Sequence, residues 1–226
     1  MKAFNNDAKL KSDLLLELAK HEQADAIIRG TYGIYNANGI FKGCAVGCTI
    51  KSYGVLKGID LKNGDHNVYE SFGIPAILAH LKDSFFEGIS ADDSKTWPRK
   101  FLEAVPVGAD LSLVWPRFAV WMLTDKENGV IKYAKDTKTR QAIQDVSDTY
   151  ERVIKGELIT LKEWTEKRNT AADNAAYAAA YVASANSAGN AANTIAYVVA
   201  VNTAQARQNH FKIMADKLLE IIKETT

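Results

Sequence analysis

Only two cysteines and four prolines occur among the 226 residues of this chain. The cysteines, Cys44 and Cys48, cannot build a disulfide framework, and a reducing compartment keeps them as thiols. Long apolar runs are missing as well. Nothing reaches the roughly 18 uninterrupted apolar residues of a membrane span, and the N-terminal MKAFNNDAKLKSD lacks the apolar core of a secretory signal. A cytoplasmic protein without a membrane partner is expected. Charge of one sign is absent too: 28 Lys and Arg face 27 Asp and Glu, a formal net charge of +1. No overall field draws the chain toward a nucleic-acid polymer. P-loop and dinucleotide fingerprints are absent, and no cofactor is expected.

What is present reads as helices. Leu10, Leu14 and Leu18 share one stripe of a helix spanning Asn6 to Ile28, with Asn6 as cap and Gly30 as stop. From Gly30 to Gly64 glycines and aromatics interleave, predicting loops and short helices. Asp65 caps a short helix through His66, Tyr69 and Glu70. Pro75 opens another, with Ile77, Leu78, Leu81 and Phe85 inward and Gly88 at its end. Phe101 and Leu102 mark a further helix, and Pro116 fits the first turn of the apolar helix bearing Trp115, Trp121 and Met122. Ile143, Val146, Tyr150, Val153 and Ile154 keep helical spacing, and Thr160 with Glu163 has capping-box spacing.

From Asn174 to Ala206 there is no charged residue. Alanine dominates, interrupted by Tyr177, Tyr181, Tyr197 and the asparagines Asn174, Asn186, Asn190, Asn193 and Asn202. A helix without charge on any side is expected to be buried all round, its amides forming a polar network, a subunit seam or a ligand lining. Unbroken helix from Thr160 to Lys223 would run about 95 Å, too long for a compact domain, so a break is expected near Gly189. The prediction is an all-α, single-domain multi-helix bundle over residues 1–226 with long Ala-rich C-terminal helices. The surplus of uncharged helix favours a homodimer.

The stretch FKGCAVGCTIKS at 41–52 poses the chemical question. Zinc needs three or four ligands, and no second cysteine pair stands nearby. The C-x3-C spacing is not that of a thioredoxin-type redox pair. Gly43, Cys44, Gly47 and Cys48 put small side chains on adjoining rows of one helix, a surface that admits another backbone. If Gly43 opens that helix, its free amide, with Lys42 and Lys51, makes an anion site on which Tyr32, Tyr35 and Tyr53 stack a base. Cys44 as nucleophile with His66 or His80 as base, or a His66/Glu70 pair at i,i+4, is the enzymatic alternative. Glu87, Glu103 and Asp110, beside turns, cap neighbouring helices or carry raised pKa values. The expected site comprises Tyr32, Tyr35, Lys42, Gly43, Cys44, Lys51, Tyr53, His66, Tyr177, Tyr181 and Asn186.

GCAVGCTIKS, YESFGIPAILAHLKDSFFEGI, WPRKFLEAVPVGADLSLVWPRF and the Ala/Tyr-rich tail together resemble a family of uncharacterised helical proteins scattered through bacteria and their phages. The resemblance covers most of the chain and brings no activity with it. The tail alone is similar to that of immunity proteins from bacterial toxin systems. What these resemblances imply is a role in bacterium–phage conflict. The function expected is non-enzymatic binding of a small phosphate-bearing ligand such as a nucleotide signal; the alternative is an immunity-type protein that neutralises a toxin by protein contact.

Overall fold

The computed structural model describes residues 1–184, 188–199 and 203–226. The fold is all-α and multi-helical, and the only sheet among the described residues is a two-stranded hairpin. Contacts divide the chain into two compact units, Met1–Leu111 with Ile222–Thr226, and Ser112–Ile221. No helix among the described residues is long and apolar enough to cross a membrane.

The first unit holds α1 (Ala8–Gln23), the hairpin strands β1 (Ile34–Tyr35) and β2 (Phe41–Lys42), α2 (Ala45–Lys57), α3 (Ala76–Gly88) and α4 (Ala91–Ala104). Helix α1 buries Leu10, Leu14 and Leu18 as its stripe predicts, but it is shorter than expected. Asp7, not Asn6, caps it, because the Asp7 carboxylate accepts the Lys9 and Leu10 amides. It ends at Gln23 because Asp25 turns into the left-handed region (φ 48°) and the Ala26 amide reaches back to the His21 carbonyl. A 3₁₀ helix, His66–Phe72, follows the Asp65 cap. Three residues per turn separate His66 from Glu70: His66 is buried and Glu70 exposed, so the expected i,i+4 pair does not form. Leu78, Leu81 and Phe85 of α3 meet Trp97, Phe101 and Leu102 of α4 in the core, while Ile77 is half-buried.

The second unit contains α5 (Val114–Thr124), α6 (Thr137–Ile154), α7 (Leu161–Asp173), α8 (Tyr177–Val182), α9 (Ala188–Val199) and most of α10 (Ala204–Lys223). Helices α5 and α6 pack together, joined by a buried polar relay. The Trp115 indole donates to the Tyr150 hydroxyl (2.9 Å), which donates to the Val182 carbonyl (2.7 Å). The Ala-rich stretch is helical in short pieces. The α7 helix ends at Asp173, and Ala175 takes a left-handed conformation (φ 55°). Gly189 lies inside α9 rather than at the expected break; that break precedes Ala188, and residues 185–187, Asn186 among them, lie outside the described residues.

Burial on all sides is not what the uncharged stretch achieves. Ala191, Ala192, Ile195 and Ala196 face inward on α9, while Asn190, Asn193 and Tyr197 are exposed. Tyr177 and Tyr181 are exposed on α8, Asn174 before it is half-buried, and Asn202 falls outside the described residues. At Asn190, Asn193, Tyr177, Tyr181 and Tyr197, amides and phenols form the outer face in place of charges.

Candidate functional site

The GCAVGC motif begins two residues before α2. Gly43 does not open α2; Cys44 does, as its N-cap, with the sulfur accepting the Gly47 amide at 3.4 Å. Both amides expected to be free are spent: Gly43 N–H on the Ala26 carbonyl (2.9 Å) and Cys44 N–H on that of Thr31 (2.7 Å). The Ile28 amide in turn donates to the Gly43 carbonyl (2.8 Å). Residues 26–33 thereby form a strap across the start of α2. The small residues do admit a close backbone, and that backbone is the strap: a Cβ at Gly47 would stand 1.6 Å from the Tyr32 carbonyl oxygen. Cys48, one turn along, donates to the Gly43 carbonyl at 3.3 Å and is completely buried.

Three side chains converge on Asp83 of α3. Its Oδ1 accepts the Cys44 thiol at 3.4 Å; its Oδ2 accepts the Tyr32 hydroxyl at 3.1 Å and faces His66 Nε2 at 3.3 Å. His66 Nδ1 faces the Gly64 carbonyl at 3.2 Å, so both ring nitrogens lie beside acceptor oxygens. His80 stacks on His66 with 4.0 Å between centroids, and the Tyr32 ring meets His66 edge-on. Burial, then the neighbouring His66, lowers the His80 pKa against the pull of Asp83. Burial, then the Asp83 carboxylate, pushes the Cys44 thiol up to about 12. At neutral pH it is a neutral donor and not a nucleophilic thiolate.

A cleft of about 280 Å³ opens beside this junction, lined by Gly30, Thr31, Tyr32, Cys44, Asp83 and Glu87. Exposed Glu87 holds the strap from the other end, accepting the Gly30 amide at 3.1 Å. Beneath, and completely buried, lies Lys82. Its ammonium donates to Thr49 Oγ1 (2.6 Å) and to the Tyr69 hydroxyl (3.0 Å), and sits 5.3 and 5.4 Å from the Tyr69 and Phe101 ring centroids. Among the described residues no carboxylate is a hydrogen-bond partner of Lys82, and burial brings its pKa down to about 7. Among the described residues no three His, Cys, Asp or Glu side chains are arranged to hold a metal ion.

Comparison of the chain with protein-family models, with curated proteins and with solved structures finds no match.

Of the expected site residues, Tyr32, Cys44 and His66 come together at Asp83. The others do not join them. Lys51 lies over the Tyr35 ring at 5.8 Å, and that ring packs edge-on against Phe41. Lys42 sits on β2 opposite Ile34, and neither lysine lines the cleft. Tyr53 is occupied with the Ser71 carbonyl (3.3 Å), the Phe72 ring and Lys57. Tyr177 lines a separate pocket in the second unit, and Tyr181 is exposed on the same helix.

Asp83 and Lys82 escaped the sequence reading, yet α3 carried a signal for both. Lys82 stands on the apolar stripe, four residues after Leu78 and three before Phe85, where a lysine has to be buried. His80, Asp83 and Glu87 follow the same helical spacing on a neighbouring face.

Proposed function

We propose that this protein binds, without turnover, a small ligand bearing an amino or guanidino group, held in the cleft between the strap and α3. One observation carries the reading: two carboxylates, Asp83 and Glu87, border the 280 Å³ cleft, and no lysine or arginine lines it. A cation or N–H donor gains charge-assisted hydrogen bonds there, whereas a phosphate meets like charge. Gly43 and the flanking lysines, on which the phosphate expectation rested, supply no free amide and no cleft-lining cation. The neutral Cys44 thiol supports binding over nucleophilic catalysis at that residue. In the bacterium–phage setting that the family resemblance implies, such a protein works by sequestering its ligand.

Thermal shift and calorimetry with agmatine, adenosine and inorganic phosphate test this. Agmatine or adenosine is expected to raise the melting temperature, phosphate to leave it unchanged, and Glu87→Gln to weaken amine binding about tenfold. Stabilisation by phosphate that is indifferent to Glu87→Gln, or no response to either amino compound, would sink the proposal.

A second reading rests on the outer face of the Ala-rich helices. Tyr177, Tyr181 and Tyr197 are 59%, 42% and 61% exposed on a stretch without charge, a composition suited to protein contact. A second copy of the chain is the partner proposed. Sedimentation velocity is expected to show a dimer in the wild type and a monomer in Tyr177→Asp/Tyr197→Asp; a monomeric wild type at micromolar concentration removes this reading.

A further inference from the structure

The second unit has a pocket of its own, independent of the Asp83 cleft. It measures about 110 Å³, and its walls come from four stretches of chain: Val130 and Tyr133, Ile143 of α6, Ala176 and Ala178 at α8, and Thr194 with Val198 of α9. Tyr133 and Tyr177 belong to the lining and are both exposed, so two phenol rings stand between the apolar interior and solvent. Small side chains at Ala176 and Ala178 leave the space; no charged residue lines it. Thr194 of α9 adds a hydroxyl to a mostly apolar wall.

The wall is built at a backbone cost. Ala175, a lining residue, holds a left-handed conformation (φ 55°) that a side-chain-bearing residue seldom adopts. It is locked there from both sides. The Ala176 amide reaches back to Ala171 (2.8 Å), and the Asn174 carbonyl accepts the Thr139 hydroxyl (2.9 Å). Thr139 lines the same pocket. Strain maintained by surrounding bonds is a feature of binding sites.

We infer that this pocket binds a single uncharged aromatic ring. The size sets the class: an apolar cavity of about 150 Å³ accommodates benzene, so 110 Å³ with an open mouth takes one ring and leaves any substituent outside. Offset or edge contacts with Tyr133 and Tyr177 favour an aromatic over an aliphatic guest. Thr194 offers a hydrogen bond to a ring hydroxyl or amine. The ring belongs to a phenolic or anilinic compound, or to the aromatic end of a larger ligand.

The probe is phenol, with cyclohexanol as a non-aromatic control of similar size, titrated into the full chain and followed by NMR shifts of the α8 and α9 amides. Wild type is expected to bind phenol with a dissociation constant of about 1 mM, as suits so few atoms. Cyclohexanol is expected to bind at least fivefold more weakly. Val198→Phe fills the pocket from its half-buried wall and should reduce phenol affinity at least tenfold; Tyr177→Ala, at an exposed position, should reduce it threefold or more. Glu87→Gln should leave phenol binding unchanged, which separates this site from the cleft. No saturable shift in wild type up to 10-fold above that constant overturns the inference. So does equal affinity for cyclohexanol, or phenol binding that survives both pocket variants.

Discussion

Gly47→Ala is expected to destabilise the protein by at least about 3 kcal/mol, far more than a glycine-to-alanine change inside a helix ordinarily does. In an open helical position the added methyl is favourable, by about 1 kcal/mol. Here it would lie 1.6 Å from the Tyr32 carbonyl oxygen and 2.6 Å from its carbon, both backbone atoms that cannot rotate away. Relief requires the strap to lift off α2. That breaks the Cys44 amide bond to the Thr31 carbonyl (2.7 Å) and pulls the Tyr32 hydroxyl from Asp83. The melting temperature should fall by roughly 6–12 °C for a chain of this length, and the cleft should lose its amine binding together with stability. Gly58→Ala is the control. That residue has φ +66° but nothing within 4 Å of an added Cβ, so it should cost only about 1 kcal/mol and leave binding intact. Equal melting temperatures for Gly47→Ala and wild type would show that the strap does not lie on the helix.

Stability should rise between about pH 7 and pH 9 and fall above it, and Lys82→Met should abolish the rise. The folded chain holds Lys82 at a pKa of about 7 against an ordinary lysine's 10.5, so over this interval the unfolded chain binds a proton that the folded chain does not. Stability then increases with pH, by up to about 1.4 kcal/mol per pH unit. Two thiols oppose it at higher pH. Burial first, for Cys44 reinforced by Asp83, pushes both cysteines from 9.0 up to about 12. From about pH 9 the unfolded chain loses thiol protons that the folded chain keeps, and stability declines. Methionine matches the lysine stem in length and carries no charge. Thr49 is not orphaned by the change, because it still donates to the Ala45 carbonyl (2.8 Å). Lys82→Met should therefore stabilise the chain by about 2 kcal/mol at pH 7 and leave only the decline above pH 9. Urea midpoints at pH 6, 7, 8, 9 and 10 measure both curves; a rise from pH 7 to 9 that persists in Lys82→Met would assign it to another group.

The all-α class and most helix positions were legible because they depend on local pattern. Leu10, Leu14 and Leu18 write a stripe that a helix buries on one face, Asp65 and Thr160 carry their caps, and Pro75 and Pro116 stand at helix starts. Errors fell where one end of an interaction is distant. Whether Asn6 or Asp7 caps α1 depends on which side chain turns back to the Lys9 amide. Whether an uncharged helix is buried all round depends on its neighbours, and the exposed Tyr197, Asn190 and Asn193 show that amides and phenols can serve as a solvent face.

By itself the sequence determined the helical periodicity, the neutral charge balance, the unbroken lack of charge from Asn174 to Ala206, and the small residues that let something approach Cys44 and Gly47. The tertiary structure alone decided what approaches. It brought the Tyr32 strap, 15 positions before Gly47, onto α2, and it set Asp83, 39 positions after Cys44, against the thiol, the phenol and His66. It also decided the sign of the site. Lys42 and Lys51 flank the motif in the chain, but strand and helix geometry keep them out of the cleft, while α3 delivers two carboxylates to it. The physical reason is one of range: helix patterning acts over three or four residues, whereas a site's charge is a sum over groups that only folding makes neighbours.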